Sequence, residues 1–350
     1  ATACAGIIVG AITLTGLGLR MTDFVEFVSQ GNVMLMLLFT AFVCLLIGLG
    51  VPTTANYILV ATLMAPVVVE LGAQSGLVIP LVGVHLFVFY YGIMADITPP
   101  VGLASFAAAA IAKENPISVG LQGSVYAFRT VVLPFIWIFN PALLLIDVRS
   151  IAEGVIIAVA STIASLLFVA ATMAWYRTRC RWWEVALLLV ATFIMFRPDW
   201  FADRIGPEYH DAPATEFQRI AATLPEGDRL IFMLAGQTLE GEERTKTVAV
   251  RLGPQVEDPN PAVAAGKRLS EAGLGVSGMG EMLQVSSVRF GSRAAKARIE
   301  QGFDIVGVKV RSDRISALWF YIPGVILAGL LWWMQGLRVR REGAMVPRAT

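Results

Sequence analysis

Between Val33 and Leu71 the chain runs 39 residues with a single charged side chain, Glu70. In the middle stands Gly48-Leu49-Gly50-Val51-Pro52-Thr53-Thr54-Ala55-Asn56. About 20 apolar residues carry a helix across a bilayer, so this run is too long for one crossing. Gly and Pro interrupt the helix, while Thr and Asn can satisfy freed backbone groups. Two full spans joined by a tight turn would place that turn in bulk water, where charges are common. An uncharged polar apex is better explained by a re-entrant hairpin, residues 33–71, whose tip stops inside the protein. Its second arm begins after Pro52, which suits a first helical turn and aims N–H groups at the tip.

A second interruption follows at Asp96-Ile97-Thr98-Pro99-Pro100-Val101-Gly102, inside an apolar stretch from Leu77 to Ala112. Adjacent prolines remove two backbone donors and forbid a continuous helix. A buried acidic residue near mid-membrane costs roughly 2.5–3.5 kcal/mol on insertion scales. Irregular backbone at that depth is tolerated only where protein covers it or a cavity needs it. Broken helices of this type build ion and substrate sites in secondary transporters. The bland alternative is a proline kink with Asp96 at the interface. Carbonyl and hydroxyl oxygens at both interruptions suit Na⁺, and helix N-termini suit a carboxylate.

The charge distribution fixes the organisation around these breaks. Charged residues make up 15% of the chain, hydrophobic residues 56%, and the mean hydropathy is +0.69. Soluble proteins carry about 25% charge. Only Arg20, Asp23, Glu26, Glu70 and Asp96 are charged before Lys113, whereas residues 198–315 hold 32 of the 53 charges. This pattern predicts a polytopic α-helical membrane protein with one water-soluble insertion. It excludes an ordinary cytosolic enzyme and a disordered chain. A net charge of +1 offers nucleic acid no basic footprint. Cys4, Cys44 and Cys180 form no disulfide framework or CxxC site.

Candidate spans are residues 4–19, 33–50, 52–71, 77–95, 97–112, 125–146, 154–175, 182–196 and 317–337. They divide into a transport repeat (1–146, with a broken helix at 77–112 and a span at 125–146), two further helices (147–197), a soluble domain (198–315) and a last helix with a basic tail (316–350). Arg177, Arg179 and Arg181 on one loop, and Arg338, Arg340 and Arg341 on the tail, place both on the cytoplasmic side by the positive-inside rule. The soluble domain then lies in the periplasm of a bacterial cell. Arg20 runs mildly against this orientation. His85 reads as a helix-packing residue, Glu70 as solvated, and the pairs Trp182-Trp183 and Trp332-Trp333 as interfacial belts.

Gly48 to Tyr57, then Ala65-Pro66, His85-Leu86-Phe87-Val88-Phe89-Tyr90-Tyr91-Gly92 and Thr98-Pro99-Pro100-Val101-Gly102 resemble the large membrane subunit of tripartite ATP-independent periplasmic (TRAP) transporters. The likeness spans residues 1–146 and is nearest to fused permeases. It implies an inverted-repeat ion-transporter-type fold, with a hairpin and a broken helix in each repeat. It also implies Na⁺-coupled, elevator-type uptake of organic anions (dicarboxylates, keto acids or amino acids) delivered by a periplasmic substrate-binding protein. On this likeness the ion and substrate site comprises Gly48, Gly50, Pro52, Thr53, Thr54, Asn56, Asp96, Thr98, Pro99, Pro100 and Gly102, with Na⁺ at Thr53, Thr54 and Thr98. Na⁺ serves as coupling ion, and no other cofactor is implied. Each motif occurs once and the chain starts in mid-pattern. The expectation is therefore one repeat of a longer permease, working with an upstream repeat, small-subunit helices and the lipid bilayer.

Within 198–315, Leu230–Leu234 and Thr247–Leu252 flank a polar hairpin. Gly273-Leu274-Gly275-Val276, Leu283–Val288, a helix start at Gly291-Ser292-Arg293-Ala294-Ala295-Lys296-Ala297 and Gly302 to Val308 follow. This order resembles a circularly permuted PDZ-like α+β domain, with Phe303 interrupting the usual Gly-Asp. Such folds bind extended peptide by strand addition. The alternative function is therefore a membrane-anchored scaffold or regulator acting through this domain. An intramembrane protease is disfavoured, since no HExxH or Ser–Lys pair occurs in the spans.

Overall fold

The structure is a computed structural model that describes residues 7, 10, 11, 14–49, 53–98, 102–146, 148, 150–237, 243–279 and 282–344. Two compact units form: residues 1–44, 54–88 and 208–312, and residues 45–53, 89–207 and 313–350.

The helical part opens with α1 (Leu17–Ser29), α2 (Val33–Ile47), α3 (Thr53–Gln74), α4 (Leu81–Met94) and α5 (Leu103–Ala112). Helix α1 runs through Arg20, Asp23 and Glu26 and stops where Gln30 turns left-handed, at φ 48. It begins near the end of the span expected at residues 4–19, of which residues 7, 10, 11, 14 and 15 are also helical. Helices α2, α4 and α5 have 15, 14 and 10 residues. At 1.5 Å per residue they reach only about 15–22 Å, short of the roughly 30 Å hydrocarbon core. These short helices flank the two interruptions.

Helix α6 (Pro116–Phe139) starts nine residues before the span expected at 125–146. The reason is local: the Asn115 side chain accepts from the Ile117 and Ser118 N–H groups, and Pro116 fills the first helical position. A 3₁₀ turn at Pro141–Leu144 follows it. Helix α7 (Ile151–Thr172) is capped by the Ser150 hydroxyl. Helices α3, α6, α7 and Ala317–Arg341 are, among the described residues, long and apolar enough to cross a membrane. Helix α8 (Trp182–Phe196) joins them if counted with α9 (Pro198–Ile205), into which it bends by 72°. This arrangement of apolar helices is that of a multi-pass membrane protein.

Helices α7, α8 and α13 (Tyr321–Ala344) share a core that includes Ala160, Ala164, Leu188, Ala191, Met195 and Leu331. Small residues let membrane helices approach closely. Gly324 is such a point, since a Cβ there would lie 2.6 Å from Met195. One end of α8 and α13 is clamped. Buried Glu184 accepts from Arg338 at 3.1 Å, from Gln335 at 2.9 Å and from the Arg181 N–H at 2.8 Å. Arg338 also donates to the Arg179 carbonyl at 2.8 Å. Both arginine clusters singled out in the sequence thus meet at one end of this pair.

The charged segment folds around an antiparallel sheet. Strands β1 (Tyr209–Pro213), β2 (Arg229–Gln237), β3 (Glu243–Arg251), β4 (Leu274–Met279), β5 (Met282–Val288) and β6 (Asp304–Arg311) give the order β3-β2-β6-β5-β4, with β1 also paired to β6. Helices α10 (Phe217–Thr223), α11 (Pro261–Ala272) and α12 (Arg293–Lys296) accompany it. Phe217, Phe232, Leu234, Val250, Leu269 and Ile305 sit in its core.

Two buried cations are fully used there. Arg268, 1% exposed, donates to the carbonyls of Gly253 (3.1 Å), Ala221 (2.7 Å) and Ala222 (3.0 Å). The Lys246 ammonium donates to the Arg298 carbonyl at 3.0 Å, pairs with Glu300 and lies 5.0 Å from the Phe303 ring centroid. Phe303 is itself buried. It presses against Gly236, where a Cβ would come within 2.7 Å of its ring.

Candidate functional site

The interruption after α2 begins with a turn. Gly48 is buried, and the Leu49 N–H donates to the Leu46 carbonyl at 3.3 Å. Gly50 and Pro52 lie outside the described residues. Thr53 and Thr54 open α3 and are exposed. At a helix start the first N–H groups have no intrahelical partner, so these threonines stand beside free donors.

Asn56, one turn further, is 1% exposed, and its Oδ1 is buried without a hydrogen-bond partner. Thr40 on α2 is 0% exposed, and its Oγ1 is likewise unpartnered. An unsatisfied buried polar group costs roughly 1–3 kcal/mol. The two oxygens lie on the helices that flank the first interruption. Sequence reasoning named Asn56 and missed Thr40, which sits in an otherwise apolar helix and carries no spacing signal. Further along α3, Tyr57 and His85 of α4 share a hydrogen bond of 3.1 Å between the phenol and Nδ1. This gives His85 the packing role expected of it.

The second interruption is stitched. At the end of α4, Ile97 and Thr98 N–H groups both donate to the Met94 carbonyl at 3.1 Å, and the Thr98 hydroxyl donates to the same carbonyl at 3.0 Å. Across the gap, the Ala104 N–H donates to the Asp96 carbonyl at 3.0 Å, and the Ser105 hydroxyl to the Ile97 carbonyl at 2.7 Å. Gly102 begins α5 with φ 44, a left-handed conformation that glycine adopts without strain. A side chain there would also crowd the Thr98 carbonyl, 3.3 Å from the added Cβ. Pro99 and Pro100 lie outside the described residues. Ser105 was not foreseen, because a serine among alanines reads as small-residue packing. Gly123 was also missed: it lets α6 lie against Ile97, 3.2 Å from the position of an added Cβ.

Thr54 and Asn56 fall in the first compact unit, Thr53, Asp96, Thr98 and Gly102 in the second. The expected meeting of Pro52 with Pro99 involves residues outside those described. Among the described residues no group of three or more His, Cys, Asp or Glu could hold a metal. The donors at both interruptions are hydroxyl, amide and carbonyl oxygens. Oxygen donors of this kind, the buried Asn56 Oδ1 among them, are of the type that suits an alkali cation.

Residues 1–152 match the family described as tripartite ATP-independent periplasmic transporter, DctM component. Residues 154–341 match the family described as domain of unknown function DUF3394. The two matches change over at the start of α7. No curated protein and no solved structure matches the chain.

Proposed function

Since the chain belongs to the DUF3394 family over residues 154–341 and to the DctM component of TRAP transporters over residues 1–152, and so to a transporter family and not to an enzyme, we propose that it imports organic anions by Na⁺ symport. In this reading a periplasmic substrate-binding protein delivers the anion. The transport repeat moves as an elevator together with an upstream repeat and small-subunit helices. The observation that carries the proposal is the orphaned Asn56 Oδ1, buried in the first turns of α3 beside the uncharged tip. Thr53, Thr54 and Asn56 beside the first interruption, and Thr98 at the second, would each offer Na⁺ an oxygen ligand. The bound ion supplies local positive charge and couples its gradient to uptake. The N–H groups opening α3 and α5 would favour the substrate carboxylate.

The test is uptake of a labelled dicarboxylate by the complete permease with its binding protein, over a Na⁺ titration. Thr53→Val, Thr54→Val and Thr98→Val should each raise the Na⁺ concentration required. Unchanged uptake and Na⁺ dependence in all three would sink the reading.

A second reading rests on β4. It pairs with β5 along one side only and ends the described sheet, beginning just after Gly273 at φ 81. An open edge next to a glycine suits addition of a peptide strand, as in a PDZ-like domain. Residues 198–315 would then face the periplasm and dock a partner, with the tail after α13 in the cytoplasm. Removing residues 208–312 from the complete permease separates the readings: the symporter retains Na⁺-driven uptake, while a scaffold loses its only activity.

A further inference from the structure

Helix α8 has 15 residues, about 22 Å, which is shorter than the roughly 30 Å hydrocarbon core of a bilayer. The 72° bend into α9 then turns the chain steeply away from the α8 axis. Helix α9 has two unlike faces. Asp199 and Asp203, one turn apart, are both held by Arg314, at 3.5 Å for Asp199. Arg314 lies on the segment that leads back into α13, so these ion pairs tie the chain's exit to its return.

The other face is aromatic. Trp200 meets Phe201 at 4.8 Å and Phe193 of α8 at 5.5 Å between ring centroids. Phe201 stacks on Phe320, in the 3₁₀ turn Ala317–Phe320, at 6.0 Å. The Arg204 guanidinium lies 3.7 Å over the Trp200 ring. Around this cluster apolar side chains stand open: Ile205 is 67% exposed, Ile315 57% and Trp319 65%. Water would penalise that surface at roughly 25 cal/mol per Å². It adjoins the exposed Phe193 of α8, whose ring lies against both Trp200 and Phe201, and Ile322 at the start of α13 is exposed as well. It also sits at the end of the helix pair opposite the Glu184–Arg338 clamp.

We propose that α9 and the turn Ala317–Phe320 form an in-plane anchor seated at the headgroup–acyl boundary of the bilayer, with Ile205, Ile315 and Trp319 immersed in lipid. The chemistry matches that depth. An amphipathic helix lies in the interface with its apolar face inward, and Trp with a stacked Arg belongs at headgroup level. The occupant is the lipid surface because the patch extends the surface by which α8 and α13 meet lipid. This inference does not depend on the transport reading.

The test places single spin labels at Ile205→Cys, Ile315→Cys and Trp319→Cys, in a chain whose Cys4, Cys44 and Cys180 are replaced by Ala, in phosphatidylethanolamine–phosphatidylglycerol vesicles. Phe290→Cys, at a fully exposed position in the turn after β5, is the aqueous reference. Collisions with dissolved oxygen should exceed those with a water-soluble nickel chelate at 205, 315 and 319, and the ratio should reverse at 290. Nickel dominance at 205 and 319 overturns the proposal. Low collision with both agents, which means cover by another protein surface, overturns it equally.

Discussion

The sheet and the helices around the two interruptions treat buried polar groups in opposite ways. In the sheet, Arg268 and Lys246 are buried, and their donors reach carbonyl, carboxylate or aromatic partners. Beside the first interruption, Asn56 and Thr40 bury oxygens that meet no donor. Both arrangements cost desolvation, but only the first recovers it within the chain. Satisfied burial is what a fold does for itself. For Asn56 and Thr40 no described group does the same.

The largest effect expected from this contrast is in the sheet. Arg268→Leu orphans three carbonyls and should cost about 3 kcal/mol, at roughly 1–3 kcal/mol per buried unsatisfied group less relaxation. Hydrogen exchange of the β2 and β6 amides in the whole chain would read it as lost protection. Undiminished protection would break the contrast on its structural side. Next comes Gly236→Val. The added side chain collides with the Phe303 ring, and overpacking of this kind costs about 1–3 kcal/mol by the same measurement.

Asn56→Leu should behave unlike either. Protection of α3 should hold or rise, because a buried oxygen without a partner is removed. The Na⁺ concentration for half-maximal uptake by the complete permease should rise about tenfold, equivalent to about 1.4 kcal/mol of ion binding. Loss of α3 protection with unchanged Na⁺ dependence would place Asn56 with the structural groups and erase the distinction.

The smallest effect concerns Asp258. The Asn260 N–H donates to its carboxylate at 3.0 Å and Lys267 at 3.1 Å, and these hold its pKa below the usual carboxylate value. Its contribution is complete above the unfolded Asp value of about 3.9 and disappears as pH falls through the lower folded value. Asp258→Asn should therefore narrow the difference in sheet stability between pH 5 and pH 2, slightly. An equal pH dependence in wild type and variant would remove Asp258 from the account.

Legibility in the sequence followed the same divide. The interruptions announced themselves because Gly, Pro, Thr and Asn cluster there within a few residues, which no continuous helix accommodates. The strands near 230, 250, 283 and 305 were visible as β-branched runs between glycines. What stayed hidden depended on partners far along the chain. Thr40 and Ser105 look like ordinary helix residues until the neighbouring segment is seen. Helix α11 was legible in principle, since Asn260 caps it from just before Pro261, yet its alanine-rich turns carry little periodic contrast. The bend at Arg197–Pro198 was equally present in the sequence, but only its 72° angle separates a surface helix from the start of a soluble domain.

Strand β1 lies against β6 with Tyr209 opposite Arg311, and just outside them Asp199 and Asp203 hold Arg314. The two ends of the inserted segment therefore leave and return side by side, like the stem of a graft. A short linker from residue 207 to residue 313 would close the cut, and a different domain could be spliced onto the same stump.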